Sequence, residues 1–255
     1  MHAEPSRSDA WLVARNVSRQ FGGLKAVDDV SLTLEREAVH AVIGTNGAGK
    51  STLINVLSGE IAPTGGSVTL LGQDITRMSQ PRRAQAGLGR SYQRNTIFPS
   101  FSVLENARLC AQARLQRPWD WWSPAARCAD STAAAHAALE QAGLSAHAQQ
   151  QAGALSHGQK RQLEIAMCLA TAPKVLLLDE PLAGMGAEET ERMLELLAHL
   201  KPRHAILLVE HDMDAVFRIA DRITVMVNGR MLASGSPGEV RANPEVQAAY
   251  LGEHV

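Results

Sequence analysis

The chain has 255 residues, 45% of them hydrophobic and 20% charged, with a formal net charge of −1. That is ample apolar material for a buried core, and the balanced charge, without a basic stripe, argues against a nucleic-acid partner. The three cysteines, Cys110, Cys128 and Cys168, follow no metal-ligand spacing and read as reduced thiols, and no apolar run is long enough to span a bilayer.

The opening MHAEPSRSDA is polar and reads as a loose tail without the apolar core of a signal peptide. The chain is therefore expected to be soluble and to reach any membrane through a partner. Over 11–44 the pattern is β: WLVARNVSRQF and VDDVSLTL alternate, and AVHAVIG reads as a strand entering a glycine-rich turn. A helix is expected from residue 50 to about 57, and SVTLLGQDI returns to β character. Arg82 and Arg83 read as a solvated helix face. Segment 98–155 is rich in Ala, Gln and Arg, carries its apolar residues at helical spacing, and reads as an inserted helical subdomain. PWDWWSP inside it reads as a loop whose three tryptophans pack within the subdomain or, alternatively, meet a membrane partner. Helices are expected over 159–171 and 188–200, and buried strands at KVLLLDEP and HAILLVEHD. RITVMV and RMLASG flank Asn228-Gly229 and read as a hairpin, because Asn-Gly supplies the positive φ values of a type I′ turn. SPGEVRANPEVQAAYLG reads as short helices. Strands alternating with helices predict a mostly parallel α/β sheet.

The residues Gly44-Thr45-Asn46-Gly47-Ala48-Gly49-Lys50-Ser51-Thr52 match the G-x-x-x-x-G-K-[ST] phosphate loop, placed after a strand and opening a helix. Glycines let the backbone amides face phosphates, and the helix N-terminus favours negative charge. Lys50 is expected to reach the β- and γ-phosphates of a nucleotide, and Ser51 to ligate Mg²⁺. The apolar run Val175 to Leu178 ends in Asp179 and Glu180, which places two carboxylates at a sheet edge. Asp179 would support Mg²⁺, partly through water, and Glu180 would polarise the attacking water. Leu155-Ser156-His157-Gly158-Gln159 opens another helix, whose Ser156 and free amides near Gly158 make a second anion site.

That last motif resembles the LSGGQ signature of ABC ATPases. With the phosphate loop and a helical insert between the two, it makes the chain similar to the ATP-hydrolysing subunits of ABC membrane transporters. The resemblance implies an α/β fold: a P-loop NTPase ABC cassette with a mostly parallel sheet core, an antiparallel β part and an inserted helical subdomain. The core would be 11–97 and 156–255, and the helical part 98–155. Gln93 resembles the Q-loop glutamine that touches Mg²⁺ and senses the membrane domain. His211, in Val-Glu-His-Asp, resembles the switch histidine that contacts the γ-phosphate. Phe21 resembles the aromatic residue that stacks on adenine, with core packing as the rival reading. His157 stands where glycine is usual and reads as a tolerated substitution, with nucleotide contact as the alternative. Ala183-Gly184-Met185-Gly186 lies at the D-loop, where an Asp is usual at Gly186.

The implied nucleotide set is Phe21, Gly44, Asn46, Gly47, Ala48, Gly49, Lys50, Ser51, Thr52, Gln93, Ser156, Gly158 and Gln159. Ser51, Gln93 and Asp179 would serve the metal, and Glu180, His211 and Lys50 the hydrolysis of ATP. The passages FGGLKAVDDVS, LSHGQKRQLEIA, LLLDEPLAGMG, LLVEHDMDAVF and ANPEVQAAYLGE are similar to the ATPases of branched-chain (hydrophobic) amino-acid importers. ATPases for urea uptake and lipopolysaccharide export share much of this. The resemblance implies transmembrane permease subunits, a second ABC ATPase facing this one head to tail (a different but similar subunit, with a homodimer as the alternative), and a solute-binding protein outside. It also implies a place on the cytoplasmic face of the inner membrane. Rival classes are an iron–sulfur assembly ATPase with soluble partners, a DNA-repair or translation ATPase, and a small GTPase. The coiled coils, zinc modules and tandem cassettes of the second class do not occur, nor does the Asn-Lys-x-Asp motif of the third.

Overall fold

The computed structural model describes residues 10–92, 97–115 and 128–250. Strands β1 (Ala10–Phe21) and β2 (Leu24–Glu35) pair antiparallel, and β3 (Val39–Gly44) leads through the phosphate loop into α1 (Lys50–Ser58). Strands β4 (Gly65–Leu70) and β5 (Gln73–Asp74) return to β1, which completes an antiparallel sheet of order β2-β1-β4-β5. Next come a short helix, α2 (Gln80–Gln85), and a short strand, β6 (Leu88–Arg90). The insert supplies α3 (Val103–Leu115) and α4 (Ala129–Gln141). Then α5 (His157–Leu169), β7 (Val175–Asp179), α6 (Ala187–Leu200), β8 (Ala205–Val209) and α7 (Met213–Ile219) alternate. The hairpin β9 (Arg222–Val227) and β10 (Arg230–Gly235) precedes α8 (Pro237–Ala242) and α9 (Pro244–Tyr250).

The second sheet has the order β10-β9-β3-β8-β7-β6, parallel throughout except for β10 at its edge. Strands β3, β7 and β8 are buried at every residue. A parallel strand covered on both faces must be mostly apolar on both, so apart from His40 in β3 and Asp179 at the end of β7 these three read as hydrophobic runs. By contrast β2 buries only Val30, Leu32 and Leu34 of its second half, alternating with residues that are not fully covered. The β9–β10 turn has Asn228 at φ 49° and Gly229 at φ 80°, the two positive values a type I′ turn needs.

Helix α5 is a wall shared by two cores. Its Ile165, Cys168 and Leu169 pack with the parallel sheet and α6. Its Leu163, Ala166 and Met167 pack with Val103, Ala107, Ala135 and Leu139 of the insert. The apolar positions of one helix therefore join the signature region to both layers. All three cysteines are free thiols. The tryptophans of PWDWWSP lie outside the described residues.

Arg82 is exposed, as a solvated helix face requires, but Arg83 is not. Arg83 is 1% exposed, and its guanidinium donates to Val56 O (2.9 Å), Leu57 O (2.7 Å), Thr76 O (2.9 Å) and Met78 O (3.0 Å). The last carbonyls of a helix have no partner within it, and a fork of N–H donors suits them. Arg83 thus closes the C-terminal end of α1, the helix that the phosphate loop opens.

Candidate active site

Strands β3, β8 and β7 are neighbours and run parallel, so their C-terminal ends lie side by side. The phosphate loop follows β3, Glu210 and His211 follow β8, and Asp179 and Glu180 stand at the end of β7. Ligands of open α/β sheets bind outside such strand ends.

Backbone geometry sets the turn from the loop into α1, and within the loop Ala48 N donates to Thr45 O (3.1 Å). Gly49, the residue before α1, has φ 96° and offers no side-chain cap. A Cβ there would lie 2.1 Å from Ala26 O and 3.4 Å from Gly229 Cα, so only glycine fits. From the far end of the chain, Gly229 donates its N–H to Ala48 O (3.0 Å) and accepts from Asp28 N (2.8 Å). The first turn of α1 contains no acidic residue, which leaves its field free to attract an anion. The Lys50 ammonium donates to Gly44 O (2.6 Å) and Thr45 O (3.1 Å), arching back over the loop. Burial pulls its pKa below the ordinary lysine value, while Glu180 and Asp179 push it back up. Asn46, Gly47 and Ser51 are exposed, Thr52 is half-buried and Ala48 is buried.

Asp179 is buried, and its Oδ1 has no hydrogen-bond partner among the described residues. Burial raises its pKa, against the pull of Arg90 and Lys50. An orphaned buried carboxylate oxygen beside a phosphate loop fits a hard divalent cation. Glu180 adopts φ 50° and donates its N–H to Val209 O (2.9 Å), so a left-handed turn follows β7. Its Oε1 stands 4.0 Å from His211 Nδ1, and Glu210 Oε2 lies 3.8 Å from the same nitrogen. The structure therefore brings Lys50, Asp179, Glu180 and His211 to one place. His211 is 61% exposed and open to a ligand. Phe21 is 45% exposed, with the Arg19 guanidinium 4.5 Å over its ring; this rules out the core-packing reading.

The signature residues sit elsewhere. Ser156 caps α5 in a capping box with Gln159: Gln159 N donates to Ser156 Oγ (3.2 Å), and Ser156 N donates to Gln159 Oε1 (2.9 Å). The Gln159 amide also reaches His147 Nε2 at 3.1 Å. Ser156 Oγ and Gly158 N both donate to Glu189 Oε1, each at 3.1 Å. A Cβ on Gly158 would meet that carboxyl at 2.8 Å. His157 Nε2 lies 3.0 Å from Ala183 O and so ties the start of α5 to the turn after Glu180. Among the described residues, neither Ser156 nor Gly158 bonds to the phosphate loop of its own chain. Glu189 and Glu210 carry no sequence signal, since both contacts join distant parts of the chain. Gln93 lies outside the described residues.

A family model described as ABC transporter matches residues 27–183. The chain belongs to the ABC transporter ATP-binding family. The cassette is accordingly an ATPase, and a model described as branched-chain amino acid ATP-binding cassette transporter matches its residues 230–255. It is 42% identical to the high-affinity branched-chain amino acid transport ATP-binding protein LivG of Salmonella typhimurium, over 96% of this chain and 99% of that one. It is 39% identical to the corresponding protein BraF of Pseudomonas aeruginosa, over 95% and 98%. The cassette also superposes on a solved ABC transporter cassette in its ADP conformation. The TM-score is 0.86 at 31% identity, covering 95% of this chain and 99% of that one. Among the described residues no helix is long and apolar enough to cross a membrane.

Proposed function

We propose that the cassette hydrolyses Mg-ATP to drive uptake of branched-chain amino acids through transmembrane permease subunits. The observation that carries the hydrolytic reading is the convergence of Lys50, Asp179, Glu180 and His211 at three adjacent strand ends. Lys50 and the loop amides would hold the phosphates. Asp179 and Ser51 would hold Mg²⁺, which supplies neutralising charge at the phosphate oxygens. Glu180 would orient and deprotonate the attacking water, and His211 would contact the γ-phosphate. Likeness to LivG and BraF over nearly the whole chain supports the solute class.

Ser156 and Gly158 make no hydrogen bond to the phosphate loop of their own chain among the described residues, which supports a working unit of two cassettes head to tail. Each signature would then close over nucleotide held by the other chain. Glu180→Gln is expected to keep Mg-ATP bound while slowing turnover by about 10²-fold or more. The trapped cassette, purified from its host, should carry permease subunits and a second cassette. Deleting its reading frame should abolish uptake of leucine, isoleucine and valine. Normal turnover by Glu180→Gln refutes the hydrolytic assignment, and unchanged uptake refutes the solute.

A further inference from the structure

Glu210 directly follows β8, whose residues are all apolar, and is wholly buried. Burying a carboxylate costs several kcal/mol unless hydrogen bonds replace water. Here both oxygens accept backbone amides. Oε1 takes Leu182 N at 2.8 Å, and Oε2 takes His211 N at 3.1 Å. Leu182 belongs to the turn that carries Glu180, and that turn is anchored to the end of β8 a second time by Glu180 N to Val209 O. One carboxylate therefore grips the backbone on either side of the place where Glu180 and His211 approach to 4.0 Å. An apolar residue would serve burial better and would leave both amides unpaired.

We propose that Glu210 is a positioning residue for hydrolysis, clamping the turn of Glu180 and the backbone of His211 as one rigid unit. It touches neither the phosphates nor the water; it acts through the two side chains that do. The inference rests on the roles given above to Glu180 and His211. A glutamine fits the same space but keeps only one acceptor and turns an N–H toward the other amide. A small displacement of reacting groups, on the order of 1 Å, can cost about 10²-fold in rate.

The test compares the full-length native chain with Glu210→Gln, Glu210→Ala and His211→Ala in single-turnover hydrolysis, Mg-ATP affinity and thermal melting. Glu210→Gln is expected to lose about tenfold or more in rate while its ATP affinity stays within about threefold, because the phosphate loop is untouched. Glu210→Ala should lose more. A rate within about twofold of native, or rate and affinity falling together, overturns the proposal. His211→Ala separates the two levels: normal hydrolysis by it defeats the reading of His211, whereas slow hydrolysis by it beside a fast Glu210→Gln defeats this inference alone. Amide hydrogen exchange on the native chain gives a readout independent of any variant. The Leu182 and His211 amides should be strongly protected, and rapid exchange at either removes the clamp.

Discussion

Glu189 lays its carboxylate across the N-terminus of the signature helix, where Oε1 accepts from Ser156 Oγ and from Gly158 N at 3.1 Å each. These are the donors that the paired state would offer to the partner's phosphate. An anion cannot settle there until the carboxylate has left. Glu189→Ala should therefore lower the ATP concentration needed for pairing in a Glu180→Gln background by roughly fivefold, about 1 kcal/mol of charge-assisted hydrogen bonding. Sedimentation against ATP concentration measures this, and an unmoved midpoint would mean that the carboxylate departs freely.

Lys50→Ala acts on binding rather than on chemistry. The ammonium is buried and held by two loop carbonyls. Its removal should weaken Mg-ATP binding by about 10-fold or more, the equivalent of a charged hydrogen bond. Calorimetric titration reads the affinity, and a native value excludes Lys50 from the phosphates.

Arg83→Met removes four donors from buried carbonyls. The variant should unfold about 2–3 kcal/mol more easily, roughly 5–10 °C in melting temperature. ATP affinity measured well below the melt should change little. A melting temperature equal to that of the native chain would show that the end of α1 needs no cap.

His40 gives the fold an acid sensitivity of known sign. It is buried in β3 with Nδ1 3.0 Å from Thr33 O and Nε2 2.8 Å from Thr224 Oγ1. Burial lowers its pKa from 6.5 to about 4, so the folded chain keeps it neutral. As pH falls below 6.5 the unfolded chain takes up this proton first, and stability drains until about pH 4. The loss approaches about 1.4 kcal/mol per pH unit and totals about 3 kcal/mol. Burial acts on His204 in the same direction. His40→Asn should flatten the dependence of unfolding free energy on pH across this window by one proton. An equal slope in both chains sinks the assignment.

The contiguous parts of the machine were legible in the sequence. The phosphate loop, the Asp179-Glu180 strand end and the Asn228-Gly229 turn each state their geometry within a few residues, through glycine, charge and hydrophobic period. Helices α3 and α4 showed in their composition. What escaped depends on distant partners. Arg83 reads as a surface charge until α1 ends against it, and β6 is too short to carry a period. Glu189 and Glu210 are acidic residues in acidic surroundings, and their meaning lies in amides 31 and 28 residues away along the chain. Phe21 carried two readings because burial is a tertiary property, and the structure leaves its ring at the surface beneath Arg19.

The wall that shapes the phosphate loop at Gly49 is built from Ala26 and Gly229 together. During synthesis the loop leaves the ribosome long before the β9–β10 hairpin does. A nascent chain can therefore complete β3 and α1 and still lack the surface against which Gly49 is turned. The surface that fixes the turn at Gly49 is therefore complete only once the β9–β10 hairpin has joined the sheet.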